Sequence, residues 1–136
     1  MLIRDKLHKV IRTVPDFPKK GISFKDVTPL LMDPILSNEI VDAFIERTSG
    51  MKIDAIVGVE SRGFLYGFLL ATKMNIPFIP IRKAGKLPGD KISVRYDLEY
   101  GTSDIEIHTS DIQENWNVLI HDDLLATGGT ACAASE

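Results

Sequence analysis

Two apolar runs constrain this chain more than any other feature: "IDAIVGVE" (53–60) and "IPFIPIR" (76–82). Both are nearly continuous rather than alternating, the pattern of strands buried on both faces. Between them lie Ser61, Arg62 and Gly63 and then an apolar helical segment, about Phe64 to Met74. Strand, helix and strand at this spacing predict a parallel pair, because a crossover must carry the chain back to the same end of the sheet. A third run, "NVLIHDD" (117–123), adds another buried strand, and a helix is expected from Gly129 onward. "ISVRYDL" and "SDIEIHT" alternate instead and flank "EYGT", which predicts a two-stranded antiparallel flap. The fold class is therefore α/β: an open, mostly parallel sheet flanked by helices, with an antiparallel flap.

The N-terminal third reads differently. Leu2, Ile3, Leu7, Val10 and Ile11 recur at helical spacing over residues 2–13, and Pro15 and Pro18 close that helix. "PDFPKKGISFKDVTPLL" is irregular, with Phe17, Ile22 and Phe24 set between turn residues. Asp33-Pro34 reads as an N-cap followed by proline at the first helical position. The helix it opens places Leu36, Ile40, Val41, Phe44 and Ile45 on one face.

The acids and glycines at the end of the third run carry the chemistry. In open α/β sheets, ligands bind beyond the carboxyl ends of strands. Asp122 and Asp123 occupy such an end, and "ATGGT" (126–130) turns from it into a helix start. Unpaired N–H groups and the helix dipole favour an anion there, and Gly128 and Gly129 let the backbone approach it closely. Thr127 and Thr130 add hydroxyl donors, while the absence of a following Gly-Lys-Ser/Thr excludes a Walker A loop. A phosphate in the turn with carboxylates beside it points to a ribose phosphate, since carboxylates accept strong hydrogen bonds from a diol.

Composition narrows the class further. A formal charge of -3 gives no footing for sequence-independent nucleic-acid binding, which needs a basic surface. No apolar run is long enough to cross a bilayer, and "MLIRDKLHKV" lacks the features of a signal peptide. Cys132 is the one cysteine, so no disulfide framework or CxxC metal pair exists. A cytoplasmic protein of one domain is expected, with no nucleic-acid or membrane partner.

"VLIHDDLLATGGT" (118–130) resembles the phosphoribosyl-pyrophosphate signature of the type I phosphoribosyltransferases, and "DDLLATGGT" resembles the adenine-specific members in particular. His121 departs mildly from the aliphatic residue usual there. The resemblance implies a type I phosphoribosyltransferase fold, a hood over about 1–33 and a core over about 34–136. It implies that Asp122 and Asp123 hold the ribose hydroxyls and that Ala126, Thr127, Gly128, Gly129 and Thr130 cradle the 5′-phosphate. "PDFPKKGISFKDVTPLL" resembles the family's base-covering segment, so Phe24 would stack on adenine while Ser23 and Lys25 read its edge. "VGVESRGFLYG" (57–67) resembles the pyrophosphate loop, with Ser61 and Arg62 at the leaving group and a cis peptide at Glu60–Ser61.

By the same resemblance Arg82, Lys83 and Lys86 of the basic segment "IRKAGKLPGDK" (81–91) meet pyrophosphate, from within the protomer or across a dimer interface. "YDLEYGTSDIEIH" (96–108) matches the catalytic flap, with Glu99 as acid/base and Tyr100 beside it, and the 83–100 region closes as a lid. The implied reaction is adenine plus phosphoribosyl pyrophosphate (PRPP) giving AMP and pyrophosphate, in a homodimer. Mg²⁺ would be bound mainly through substrate oxygens. Alternatives are a xanthine or hypoxanthine transferase, a non-catalytic PRPP-sensing regulator of the same fold, or a phosphoryl-accepting signalling domain. The glycine turn fits the last poorly. The family continues past the last residue here, so the expectation is a C-terminally incomplete chain, destabilised and inactive if it ends there.

Overall fold

The computed structural model describes residues 2–87, 89–98, 101–108, 110–122 and 134–135. The chain divides into two compact units, Met1–Ser49 and Gly50–Glu136.

In the first unit, helix α1 (Ile3–Val10) stops three residues short of the expected end. Strand β1 (Arg12–Val14) follows and pairs antiparallel with β2 (Phe24–Asp26), inside the segment read as irregular. Thr13 and Val14 favour extended backbone, and Pro15 biases Val14 away from the helical region. Cross-strand bonds therefore take over from helical ones, and Arg12 lies 3.6 Å from Asp26 across the ladder. A 3-10 turn (Thr28–Met32) leads to helix α2 (Pro34–Arg47). Its start is the expected one: Asp33 Oδ1 accepts the Leu36 N–H at 2.9 Å, and Pro34 occupies the first helical position. Leu36, Ile40 and Val41 are its buried residues.

The second unit is a five-stranded sheet. Strand β3 (Ala55–Val59) is buried at every position and lies between β4 (Phe78–Lys83) and β7 (Val118–His121), parallel to both. Helix α3 (Gly63–Met74) makes the crossover and ends on Asn75 in the left-handed conformation, a common helix stop. Strands β5 (Lys91–Leu98) and β6 (Gly101–His108) form the expected antiparallel ladder. This flap is not separate from the sheet, because β6 also pairs antiparallel with β4. The core gathers Ala55, Val57, Ile79, Ile81 and Ile105. No described helix is long and apolar enough to cross a membrane.

Candidate active site

The parallel order β4-β3-β7 brings three strand ends to one edge of the sheet. Gly58 is in register with His121, and Val59 with Ile81. The residues that follow are therefore neighbours: Asp122 after β7, the 60–63 turn after β3, and Arg82 and Lys83 at the end of β4. This is the edge where open α/β sheets bind ligands.

The 60–63 turn lies directly against the acidic strand end. A Cβ placed on Gly63 would sit 2.9 Å from the His121 carbonyl oxygen and 3.4 Å from both Cα and Oδ1 of Asp122. Only a glycine allows this approach, so the turn assigned to pyrophosphate and the acid assigned to ribose are adjacent. The Glu60–Ser61 peptide is cis, as the sequence resemblance implied. Phe64 N–H donates to the Ser61 carbonyl and Leu65 N–H to that of Arg62. Those two amides serve the helix start.

Glu60 is the site's organising acid. Its Oε1 accepts from Arg82 Nε at 2.9 Å and from the Lys83 backbone N–H at 2.8 Å; its Oε2 accepts from Lys86 Nζ at 2.7 Å. Its side chain is 9% exposed. Burial pushes its pKa up, but bonds from Lys86, the Lys83 N–H and Arg82, with the charge of Lys86, outweigh burial and bring it down to about 2. Arg82 is also placed by Phe64, whose ring centroid lies 5.7 Å from the guanidinium carbon. The basic segment is thus anchored at Arg82, Lys83 and Lys86.

A second buried acid holds the same loop from the other side. Glu106 on β6 accepts the Gly85 N–H at 2.8 Å and pairs with Lys91 Nζ at 2.9 Å. The Lys91 bond, then that of Gly85, lowers its pKa against the opposing effect of burial. Neither Glu60 nor Glu106 received a role from sequence reasoning. A signal for Glu60 was available: an acid at one strand end, with basic residues at the end of the adjacent strand. Glu106 gives none, because it reads as the polar side of an alternating strand.

Since the folded-state pKa of Glu60 is depressed, its stabilisation is fully present above about pH 4.5 and lost as pH falls towards 2. Thermal melts of wild type and Glu60→Gln should therefore differ near neutrality and converge in acid. A constant difference down to pH 2.5 would contradict this origin.

The remaining assigned residues are distributed as follows. Ser23, Phe24 and Lys25 lie in the first unit, where the Phe24 ring packs edge-on against Phe17 at 5.1 Å and Lys25 Nζ donates to Thr13 Oγ1 at 2.9 Å. Ser61 and Arg62 lie in the turn, with Arg62 at the N-cap of α3. Glu99, Tyr100, Asp123, Ala126, Thr127, Gly128, Gly129 and Thr130 fall outside the described residues, as does the helix expected from Gly129 onward apart from 134–135.

Comparison with known proteins identifies the family of the chain. Residues 31–136 match the phosphoribosyl transferase domain family. The adenine phosphoribosyltransferase of Ureaplasma parvum serovar 3 is 53% identical over 133 residues, covering 98% of this chain and 77% of that protein. The Saccharomyces cerevisiae adenine phosphoribosyltransferase, solved with an imino-altritol bisphosphate and adenine, superposes with a TM-score of 0.93 at 43% identity, covering 98% of this chain and 78% of that one. The Trypanosoma brucei adenine phosphoribosyl transferase, solved with AMP, pyrophosphate and ribose-5-phosphate, gives a TM-score of 0.87 at 34% identity, covering 98% and 60%. With these similarities the chain belongs to the phosphoribosyl transferase domain family, among its adenine phosphoribosyltransferases.

Proposed function

We infer that this chain works in purine salvage, transferring the phosphoribosyl group of PRPP to adenine and releasing AMP and pyrophosphate. The observation that carries the reading is the contact of Gly63 with Asp122. It supports the reading because the carboxylate assigned to the diol adjoins the turn assigned to the leaving group, as a reaction at an anomeric carbon between them requires. The relatives' bound adenine, AMP, pyrophosphate and ribose-5-phosphate supply the substrate identities.

The residue roles follow from charge and position. Asp122 and Asp123 accept from the ribose hydroxyls, and 126–130 cradle the 5′-phosphate. Ser61 and Arg62, with Arg82, Lys83 and Lys86, balance the charge that grows on pyrophosphate as the glycosidic bond breaks. Phe24 stacks on adenine between backbone groups of Ser23 and Lys25. Glu99, with Tyr100 beside it on the flap, manages the imidazole proton of the base. Mg²⁺ enters on the phosphate oxygens of PRPP and is part of the substrate. Among the described residues no group of three or more His, Cys, Asp or Glu stands ready to hold a metal. The working form is a cytoplasmic homodimer, a reading supported by the resemblance and by exposed Leu65 and Phe68 on α3.

The test is conversion of radiolabelled adenine to AMP with PRPP and Mg²⁺, with hypoxanthine and xanthine as competitors. Adenine should be used and the oxopurines should compete weakly. Absence of AMP, or preference for an oxopurine, would overturn the reading. Replacing both Asp122 and Asp123 by Asn should weaken PRPP binding by roughly 10- to 100-fold, as expected when charge-assisted bonds are removed. Calorimetry giving an unchanged affinity would exclude their diol role.

A further inference from the structure

We propose that Glu60 is a positioning residue for the pyrophosphate end of the site, an internal anion that holds Arg82 and Lys86 side by side for the leaving group. The proposal rests on the functional reading above and assigns a role to a residue that touches no substrate in it.

The geometry separates this role from that of an ordinary ion pair. Three donors from one stretch of chain converge on a single carboxylate: the Arg82 side chain, the Lys83 backbone and the Lys86 side chain. Two cations drawn together repel each other, and a carboxylate bridging them offsets that repulsion. One negative charge against two positive ones still leaves the cluster positive. The cluster therefore keeps its attraction for a phosphate while gaining a fixed shape.

The way each donor is used supports the same conclusion. Arg82 is gripped through Nε, and this bond does not engage its two terminal nitrogens. A guanidinium has five N–H donors, so a grip at Nε orients the group and leaves its fork for an anion. Phe64 fixes the same guanidinium from the side of α3. Lys86 gives one of three ammonium donors to Glu60 and remains half exposed. By contrast the Glu60 carboxylate is almost enclosed, which suits a holder of other groups better than a ligand-binding group. The Glu60 backbone is itself fixed, since its N–H donates to the Ile81 carbonyl at 2.9 Å. The acid thus joins the ends of β3 and β4, the two strands that carry the pyrophosphate cations.

Alternatively, Glu60 could compete with pyrophosphate for these cations and hasten its release. The two roles have opposite signs. A positioning acid, once removed, leaves the cations disordered and pyrophosphate weaker. A competing acid, once removed, leaves the cations free and pyrophosphate tighter. The Nε grip, which spares the Arg82 fork, favours positioning.

The test titrates inorganic pyrophosphate with Mg²⁺ into the full chain by calorimetry, and measures kcat and KM for both substrates. In Glu60→Gln, pyrophosphate affinity should fall about tenfold and KM for PRPP should rise by a similar factor, as expected for loss of bonds to charged groups. KM for adenine should stay within about twofold, and Glu60→Asp, which keeps the charge but shortens the reach, should fall between. In a background of Arg82→Met and Lys86→Met, adding Glu60→Gln should cost less than about twofold, because the groups it acts through are gone. Unchanged or tighter pyrophosphate binding in Glu60→Gln would overturn the proposal. So would a full tenfold loss in the Met background, which would mark a purely structural role, or a wild-type chain that binds no pyrophosphate. A wild-type chain that binds pyrophosphate but makes no AMP would overturn the functional reading instead, and the titrations would still decide the role of Glu60.

Discussion

Glu99→Gln is expected to lower kcat by about 10²- to 10⁴-fold, the range for loss of a general acid–base group. KM for PRPP should change by less than about threefold, since a residue acting only at the transition state lowers kcat without loosening the ground state. The expectation rests on chemistry and on the strands that flank the residue. The β5–β6 ladder runs in register from Lys91 opposite His108 to Leu98 opposite Gly101, and Glu99 follows Leu98 in sequence. In the proposed role the Glu99 carboxylate exchanges a proton with the base, whereas an amide of the same shape can hydrogen-bond but cannot carry the proton. Single-turnover kinetics with adenine and PRPP would separate the chemical step from product release. A chemical step in Glu99→Gln equal to that of wild type would remove Glu99 from the mechanism.

How much of this was legible from sequence differs by element, for physical reasons. The parallel core was readable because β3 is buried at all five positions, and full burial writes a continuous apolar run. The α2 start was readable because Asp33-Pro34 is a local signal and the cap is a local bond. The β1–β2 pair was not readable. Arg12–Val14 continues an amphipathic pattern, and what makes it a strand is pairing with residues further along the chain, Phe24 to Asp26. The same limit applies to the site. Ser61, Arg62, Arg82, Lys83 and Lys86 could be assigned because a motif marks them. Glu106 was missed because its role exists only once folding sets it against Gly85 and Lys91, and Glu60 because its signal, an acid at one strand end and bases at the next, shows only when β3 and β4 are paired. For the basic run the separation is large: its counter-ion Glu60 lies 22 residues from Arg82 and 26 from Lys86 in sequence.

Gly58→Ala is the substitution expected to damage the second unit most for the fewest added atoms. A Cβ at this position would lie 2.5 Å from Phe78 Cε2 and Cζ and 2.8 Å from the Gly63 carbonyl oxygen. The phenyl ring has little room to retreat, because Phe64 and Phe68 pack edge-on against it at 5.8 and 5.9 Å. The Gly63 oxygen is backbone at the start of α3, so moving it also moves the turn that lies against Asp122. Overpacking of this kind costs about 1–3 kcal/mol, a fall of roughly 2–8 °C per kcal/mol in the melting midpoint of a domain this size. PRPP binding should weaken as well, since the displaced turn carries Ser61 and Arg62. Gly67→Ala sets the comparison: its Cβ would meet Phe78 Cε2 at 2.9 Å and His121 Cδ2 at 3.3 Å, side-chain atoms only. It should lower stability less and leave KM for PRPP within about twofold, because no backbone has to move. Adding Phe78→Leu to Gly58→Ala should recover only part of the loss, since the ring clash is relieved and the carbonyl clash is not. Equal melting midpoints for Gly58→Ala and wild type would show that the 60–63 turn is not held by this contact.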